Sequence, residues 1–247
     1  MRTHPAFAPL LRGLARVLPL LVALGGAPPS ALAADLLATE TKLYSHGNED
    51  LIIRDFFQDR RGGFFLDVGA AWPIRNNNTY YLEKHLGWKG IAVDALPDYG
   101  PMWAEQRPGT PFFNFIVTDH SGGLETFYRA GFAELSSLKK DRVMKGKPVQ
   151  QQEIKLPTIT LDDLLARNGV ARIDLLSMDI EEAEPLALAG LAIEKYRPAL
   201  VCIEATLAVR ERLLAYFGAH GYERLEKYLA HDPTNWYFAP KAAAEAP

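Results

Sequence analysis

Short apolar runs that end in an acid and a small residue recur along this chain, and each has the length of a strand. Gly63-Phe64-Phe65-Leu66-Asp67-Val68-Gly69-Ala70-Ala71 is the first, and Gly90-Ile91-Ala92-Val93-Asp94-Ala95 repeats its pattern. Ile173-Asp174-Leu175-Leu176-Ser177-Met178-Asp179-Ile180 is a further run with a carboxylate at its end, though no small residue follows. Continuous apolar runs bounded by small residues mark strands covered on both faces, which places them in a parallel sheet between helices. Asp94 follows Asp67 by 27 positions, a spacing that fits one strand-helix-strand unit. In such sheets ligands bind outside the carboxyl ends of the strands. A turn with little side-chain bulk there also lets a ligand approach backbone amides.

The segments between the runs read as helices. Asn48 and the acids Glu49 and Asp50 suit the first turn of a helix through Phe57, with apolar residues at 52, 53, 56 and 57 forming one face. Thr79–His85 and Leu207–His220 read the same way, and Thr160 is placed to cap a helix that Gly169 ends. Pro111–Asp119 is expected as one strand, Leu124–Tyr128 as an edge strand and Pro198–Glu204 as a core strand. Tyr222–Tyr228 and Asn235–Phe238 form a closing pair. Ala130–Gln151, rich in lysine and arginine, reads as an inserted surface loop, where substrate contacts are often placed. A solvated connector fits it equally well. The fold class is therefore α/β with a mostly parallel sheet and an antiparallel pair at the carboxyl end.

The amino terminus has a different character. It carries Arg2, Arg12 and Arg16 with no acid before Asp35, then the apolar stretch Val17–Leu24, a Gly/Pro break and Ala31-Leu32-Ala33. These are the parts of a secretory signal peptide, and the apolar stretch falls short of the roughly 20 residues a membrane span needs. The domain reading is a leader over 1–33, a globular domain over 34–240 and a frayed tail over 241–247. Export follows, to the periplasm if the source is bacterial; an unprocessed leader on a cytoplasmic protein is the alternative. Removing three arginines takes the formal charge from −3 to −6. An acidic domain is a poor holder of nucleic-acid backbone, so no nucleic-acid partner is expected. Nor is a stable membrane span expected in the mature domain. Cys202 is the only cysteine, flanked by Val201 and Ile203, and reads as core.

Asp67, Asp94, Asp119 and Asp179 each sit where a strand is expected to end. In a doubly wound sheet they would converge on one crevice, where paired carboxylates accept two ribose hydroxyls or hold an amine. Helix capping explains any one of them alone.

At this point the chain resembles a known family. Asp67-Val68-Gly69-Ala70 with Asn77-Asn78-Thr79-Tyr80-Tyr81-Leu82-Glu83, and Leu86-Gly87-Trp88-Lys89-Gly90-Ile91-Ala92-Val93-Asp94, are similar to the first motifs of FkbM-type methyltransferases. Thr160-Leu161-Asp162-Asp163, Ile173–Glu184 and Arg197–Glu204 resemble the family's later blocks in the right order. The resemblance runs from about Leu43 to Ala239. It implies a Rossmann-like class I methyltransferase fold of seven strands, and S-adenosylmethionine as methyl donor. By motif position it places Asp67, Gly69 and Ala70 at the donor's amino-acid end, Asp94 on the ribose and Asp119 near the adenine. It also implies O-methylation of a sugar, lipid or secondary-metabolite-like acceptor. Asp179 is the candidate catalytic base, with Glu181 or His120 as alternates. Asp179, Glu181 and Glu184 could instead hold a divalent metal; capping explains the same acids, and no metal ligand is assigned.

Glu182 departs from the pattern, standing where the family usually has glycine. A glutamate resists the positive φ that glycine allows, so either the turn is helical here or the site has changed. An exported protein would also lack a donor made inside cells. An exported binding module that keeps the fold is thus the alternative to an enzyme. A nicotinamide oxidoreductase lacks its G-x-G-x-x-G signature after the first strand.

Overall fold

The computed structural model describes residues 35–130, 136–140 and 152–242. The leader, most of the basic loop and most of the tail lie outside these residues. Ten strands are described: β1 Phe64–Val68, β2 Lys89–Asp94, β3 Phe112–Asn114, β4 Ile116–Val117, β5 Leu124–Arg129, β6 Gln152–Ile159, β7 Leu175–Met178, β8 Leu200–Glu204, β9 Tyr222–Arg224 and β10 Asn235–Pro240. Seven of them form one sheet in the order β3-β2-β1-β7-β8-β10-β9. Only β10 is reversed, pairing antiparallel with both β8 and β9. This is the mostly parallel seven-stranded, Rossmann-like arrangement expected from the sequence. β1 lies between β2 and β7, with Leu66 opposite both Ile91 and Leu176. The order therefore reverses at β1, and a crevice opens above it.

Alternation explains why the strands read as unbroken apolar runs. Leu66 and Val68 of β1, Leu176 and Met178 of β7, and Val201 and Ile203 of β8 point to one face. Helices Leu161–Arg167, Glu184–Ala189 and Arg210–Ala219 cover it through Leu164, Leu188, Leu213 and Phe217. Phe65, Leu175, Leu200 and Cys202 point the other way, against Ile52 and Ile53 of helix Glu49–Phe57 and Leu82 of helix Tyr80–Leu86. Both faces are buried, so alternation leaves no polar stripe to read.

Three expectations change. Pro111–Asp119 is two strands, because the chain leaves the main sheet at Phe115 and β4 pairs instead with β6. With β5 these make a second sheet, β4-β6-β5, absent from the sequence reading. β6 was not expected as a strand at all; Gln152-Glu153-Ile154-Lys155-Leu156-Pro157 alternates polar and apolar residues but carries a proline. The segment expected as a strand over Tyr222–Tyr228 stops at Arg224 and continues as a 3₁₀ turn over Glu226–Tyr228.

Thr160 caps its helix as expected, its Oγ1 accepting from the Asp163 amide at 3.1 Å. Thr160→Ala should therefore lower unfolding free energy by about 1 kcal/mol in urea titration, with Thr160→Ser keeping most of it. Equal stability of the alanine variant would show that the cap contributes nothing.

Candidate active site

A cavity of about 720 Å³ lies at the carboxyl ends of the central strands. Its β2 side is formed by Asp94, Ala95 and Leu96 with Tyr99, Phe115, Ile116 and Val117. Its β7 and β8 side carries Asp179, Ile180, Glu181 and Glu204, and Asp232–Asn235 close it with Glu49. Ser136 and Leu138, from the described part of the basic loop, also line it.

The loop after β1 sits between these sides. Gly69 has φ +77°, and a Cβ there would lie 1.8 Å from the Asp179 carbonyl oxygen. The glycine is required by this backbone contact as much as by its dihedral. The amides of Gly69 and Ala70 donate to the Val93 carbonyl at 2.9 and 3.2 Å, and that of Ala71 to Asp94 Oδ2 at 3.0 Å. The loop's donors thus grip the end of β2, and the expectation that they face a ligand is corrected.

Asp67 does not line the cavity. Its Oδ2 accepts from Thr79 Oγ1 at 2.8 Å and Asn77 Nδ2 at 3.1 Å. Arg107, itself buried, donates to Asn77 Oδ1 at 2.9 Å and to Glu83 at 2.6 Å. Burial raises the Asp67 carboxyl above the usual range, opposed by Thr79, Arg107 and Asn77. The residue holds the loop from beneath, and Ala70 is buried beside it.

Asp94 does face the cavity. Its Oδ1 accepts from the Leu96 amide at 2.8 Å while Oδ2 serves Ala71. Burial pushes its carboxyl up to about 6, against the lowering by those two amides. Asp119 is apart from the other acids. It is exposed, does not line the cavity, and takes a 2.8 Å bond from His120 Nδ1 that holds its carboxyl below the usual range. The departure of the chain at Phe115 carries it away, so the cavity wall there is apolar.

Asp179 follows β7, its amide donating to the Val68 carbonyl at 3.0 Å. Asp179 keeps an exposed surface, yet the protein crowded around its carboxyl raises it well above the usual range, reinforced by Glu204, Glu181, Glu184 and Glu49. One oxygen each of Asp179, Glu184 and Glu204 lie within 4.8 Å of one another. The turn between them is not helical: Glu181 has φ +57° and Glu182 +74°. The left-handed turn expected of glycine thus forms with glutamate in it, at roughly 1–2 kcal/mol per residue. The Glu182 side chain is held by Lys139 Nζ at 3.3 Å and Thr206 Oγ1 at 3.4 Å, and Ser137 Oγ donates to the Glu181 carbonyl at 3.0 Å. Glu182 thereby fastens part of the basic loop at the cavity's edge.

The Methyltransferase FkbM domain profile matches residues 67–224, from the last two residues of β1 through β9. The chain belongs to the FkbM methyltransferase family. A curated relative, the 31-O-demethyl-FK506 methyltransferase FkbM of Streptomyces tacrolimicus, is 25% identical over 185 residues, covering 59% of this chain and 69% of that protein. Among solved structures it is similar to a TehB-like SAM-dependent methyltransferase from Corynebacterium glutamicum, at 15% identity and TM-score 0.46, over 83% of this chain and 92% of that one. It is also similar to the 1,6-didemethyltoxoflavin-N1-methyltransferase of Burkholderia thailandensis, at 14% identity and TM-score 0.37, over 77% and 74%.

Within this FkbM-family chain the structure brings Asp94, Gly69, Asp179 and Glu181 to one cavity and leaves Asp67, Ala70 and Asp119 outside its lining. Sequence reasoning missed Glu204 as a site residue, although it ends β8 as Asp94 ends β2. It also missed Glu49 and Asp232, both bonded to Asn235 Nδ2, at 3.0 and 3.1 Å.

Gly69→Ala should lose about 3 kcal/mol or more in denaturant titration, since the strained dihedral and the clash with a carbonyl add. A variant as stable as wild type would show that the loops after β1 and β7 are not locked together.

Proposed function

We propose that the chain is an S-adenosylmethionine-dependent O-methyltransferase acting on a hydroxyl of a small sugar, lipid or secondary-metabolite-like acceptor. The observation that carries the reading is that Asp94 and Asp179 face one cavity from opposite sides of β1. S-adenosylmethionine brings a methyl group on a positively charged sulfur, which departs as a neutral thioether with the electron pair of the C–S bond. Each Asp94 oxygen keeps a lone pair for a ribose hydroxyl beyond its backbone amide. Leu96, Tyr99, Phe115 and Ile116 offer an apolar seat for the purine. Gly69 lies between the two sides, while Asp67 and Ala70 hold its loop in place.

On the other side the acceptor hydroxyl must be held in line with the methyl and must lose a proton. Its oxygen forms the new O–C bond, and the proton passes to Asp179, whose raised affinity for protons suits a general base. Glu181, also at the cavity, is the alternate. The 31-O-demethyl substrate in the name of the Streptomyces tacrolimicus relative supports oxygen as the accepting atom. A small acceptor is supported by the lining, which carries six carboxylates (Glu49, Asp94, Asp179, Glu181, Glu204, Asp232) and would repel a phosphate backbone. Among the described residues no helix is long and apolar enough to cross a membrane.

Calorimetry of the full chain with S-adenosylmethionine tests the donor. Binding in the micromolar range, lost at least tenfold in Asp94→Ala, is expected. Because hydroxyls donate to the ionised carboxylate, affinity should hold above pH 7 and fall as pH drops through about 6. An affinity flat from pH 5 to 8, or untouched by the substitution, contradicts the role of Asp94.

The leader supports the second reading, an exported protein that keeps the fold as a binding module. Mass spectrometry of the amino terminus from fractionated cells separates the two. Export predicts a mature form beginning at Ala34 outside the cytoplasm. Recovery of only the Met1 form, inside cells, contradicts export.

A further inference from the structure

Glu184 is the first residue of its helix, and its side chain has no exposed surface. Its Oε1 accepts from the Ile180 amide at 3.0 Å and the Glu182 amide at 3.3 Å. Its Oε2 is buried without a hydrogen-bond partner. An unsatisfied oxygen on a buried carboxylate is costly unless something else binds it. Burial raises the Glu184 carboxyl above its usual range. Asp179 and Glu204 place two more carboxylates beside it, with ligand oxygens of the three within 4.8 Å of one another. Among the described residues no lysine or arginine lines the cavity.

We propose that Asp179, Glu184 and Glu204 bind a divalent, oxygen-seeking cation such as magnesium, manganese or calcium. Three carboxylates without a nitrogen or sulfur donor select hard cations over zinc or copper. Ligands across a calcium ion stand roughly 4.6–5.2 Å apart and across magnesium about 4.2 Å, twice their bond lengths. Adjacent ligands stand closer than that, so oxygens within 4.8 Å of one another can reach one ion by side-chain adjustment. The donor's sulfonium is too bulky to fill this role, because Glu184 Oε2 has almost no accessible surface. Asp179 and Glu204 also face the cavity, so coordination positions stay open toward the acceptor.

The use of this ion rests on the O-methyltransferase reading. An acceptor hydroxyl on an open position would be oriented and made more acidic. Its proton passes to Glu181, its oxygen to the methyl carbon, and Asp179 serves as ligand instead of base. The binding of the ion does not depend on that reading.

The test is calorimetric titration of the chelator-stripped full chain with magnesium, manganese and calcium chlorides, with manganese binding read in parallel by electron paramagnetic resonance. One saturable site is expected for at least one cation, weakened tenfold or more in Glu184→Gln and in Glu204→Gln. Without metal, Glu184→Gln should melt no lower than wild type, since it removes a like charge, and added cation should no longer raise its melting temperature. Glu204→Gln provides the same readout if the first variant does not fold. Absence of saturable binding by folded wild type, or affinities unchanged in both variants, overturns the proposal. S-adenosylmethionine binding measured in chelator separates the two claims: donor binding without metal binding overturns only the cation site. Metal binding without donor binding overturns only the methyltransferase reading.

Discussion

The contact between Gly69 and the Asp179 carbonyl is the constraint on which the site depends. It leaves no room for a side chain at position 69, and the Asp179 amide donates back to Val68 at 3.0 Å. Two loops from neighbouring parallel strands are thereby fastened at the point where strand order reverses. Gly69 and Ala70 also donate to the Val93 carbonyl at the end of β2. One turn thus sets the positions of Asp94 and Asp179 together, on opposite sides of one cavity. Preorganisation of this kind is what a group-transfer site needs, because small displacements of reacting groups are expensive in rate.

Beneath the turn lies a buried polar network joining Asp67, Asn77, Thr79, Arg107 and Glu83. Its members satisfy one another, so the charge on Asp67 is tolerated where water is absent. Above the turn the balance is different. Six carboxylates line the cavity without a lysine or arginine among the described residues, and the titration of Asp94, Asp179 and Glu49 is shifted upward by the protein around them. The lower network is closed on itself and structural. The upper cluster is acidic and faces the cavity, where a sulfonium on one side and a divalent cation on the other would complement its charge.

Much of this was legible in the residues. Strands buried on both faces announce themselves as apolar runs, and β1, β2, β7 and β8 were found that way. Thr160 marked a helix start by its capping chemistry, whereas Asn48 precedes a helix but donates its side-chain amide to the His231 carbonyl instead of capping. What failed to show was set by tertiary pairing. Phe115 looks like the middle of a strand, and nothing local says that the chain changes sheets there and takes Asp119 with it. β6 was obscured by Pro157 and by alternation against a partner, β5, that lies far back in the chain. Asp67 and Asp94 look alike in sequence, each an acid near the end of a strand. Only the network of Arg107 and Thr79 decides that one is structural while the other faces the cavity. Glu182 showed the opposite limit: the sequence argued against a left-handed turn, yet contacts with Lys139 and Thr206 accompany one.

The most direct test of the account is a crystal structure of the protein with S-adenosylhomocysteine. The ribose hydroxyls are expected on Asp94, the purine against Leu96 and Phe115, and the sulfur above Gly69 facing Asp179. A nucleoside bound elsewhere, or with Asp94 turned away from the ribose, would contradict it.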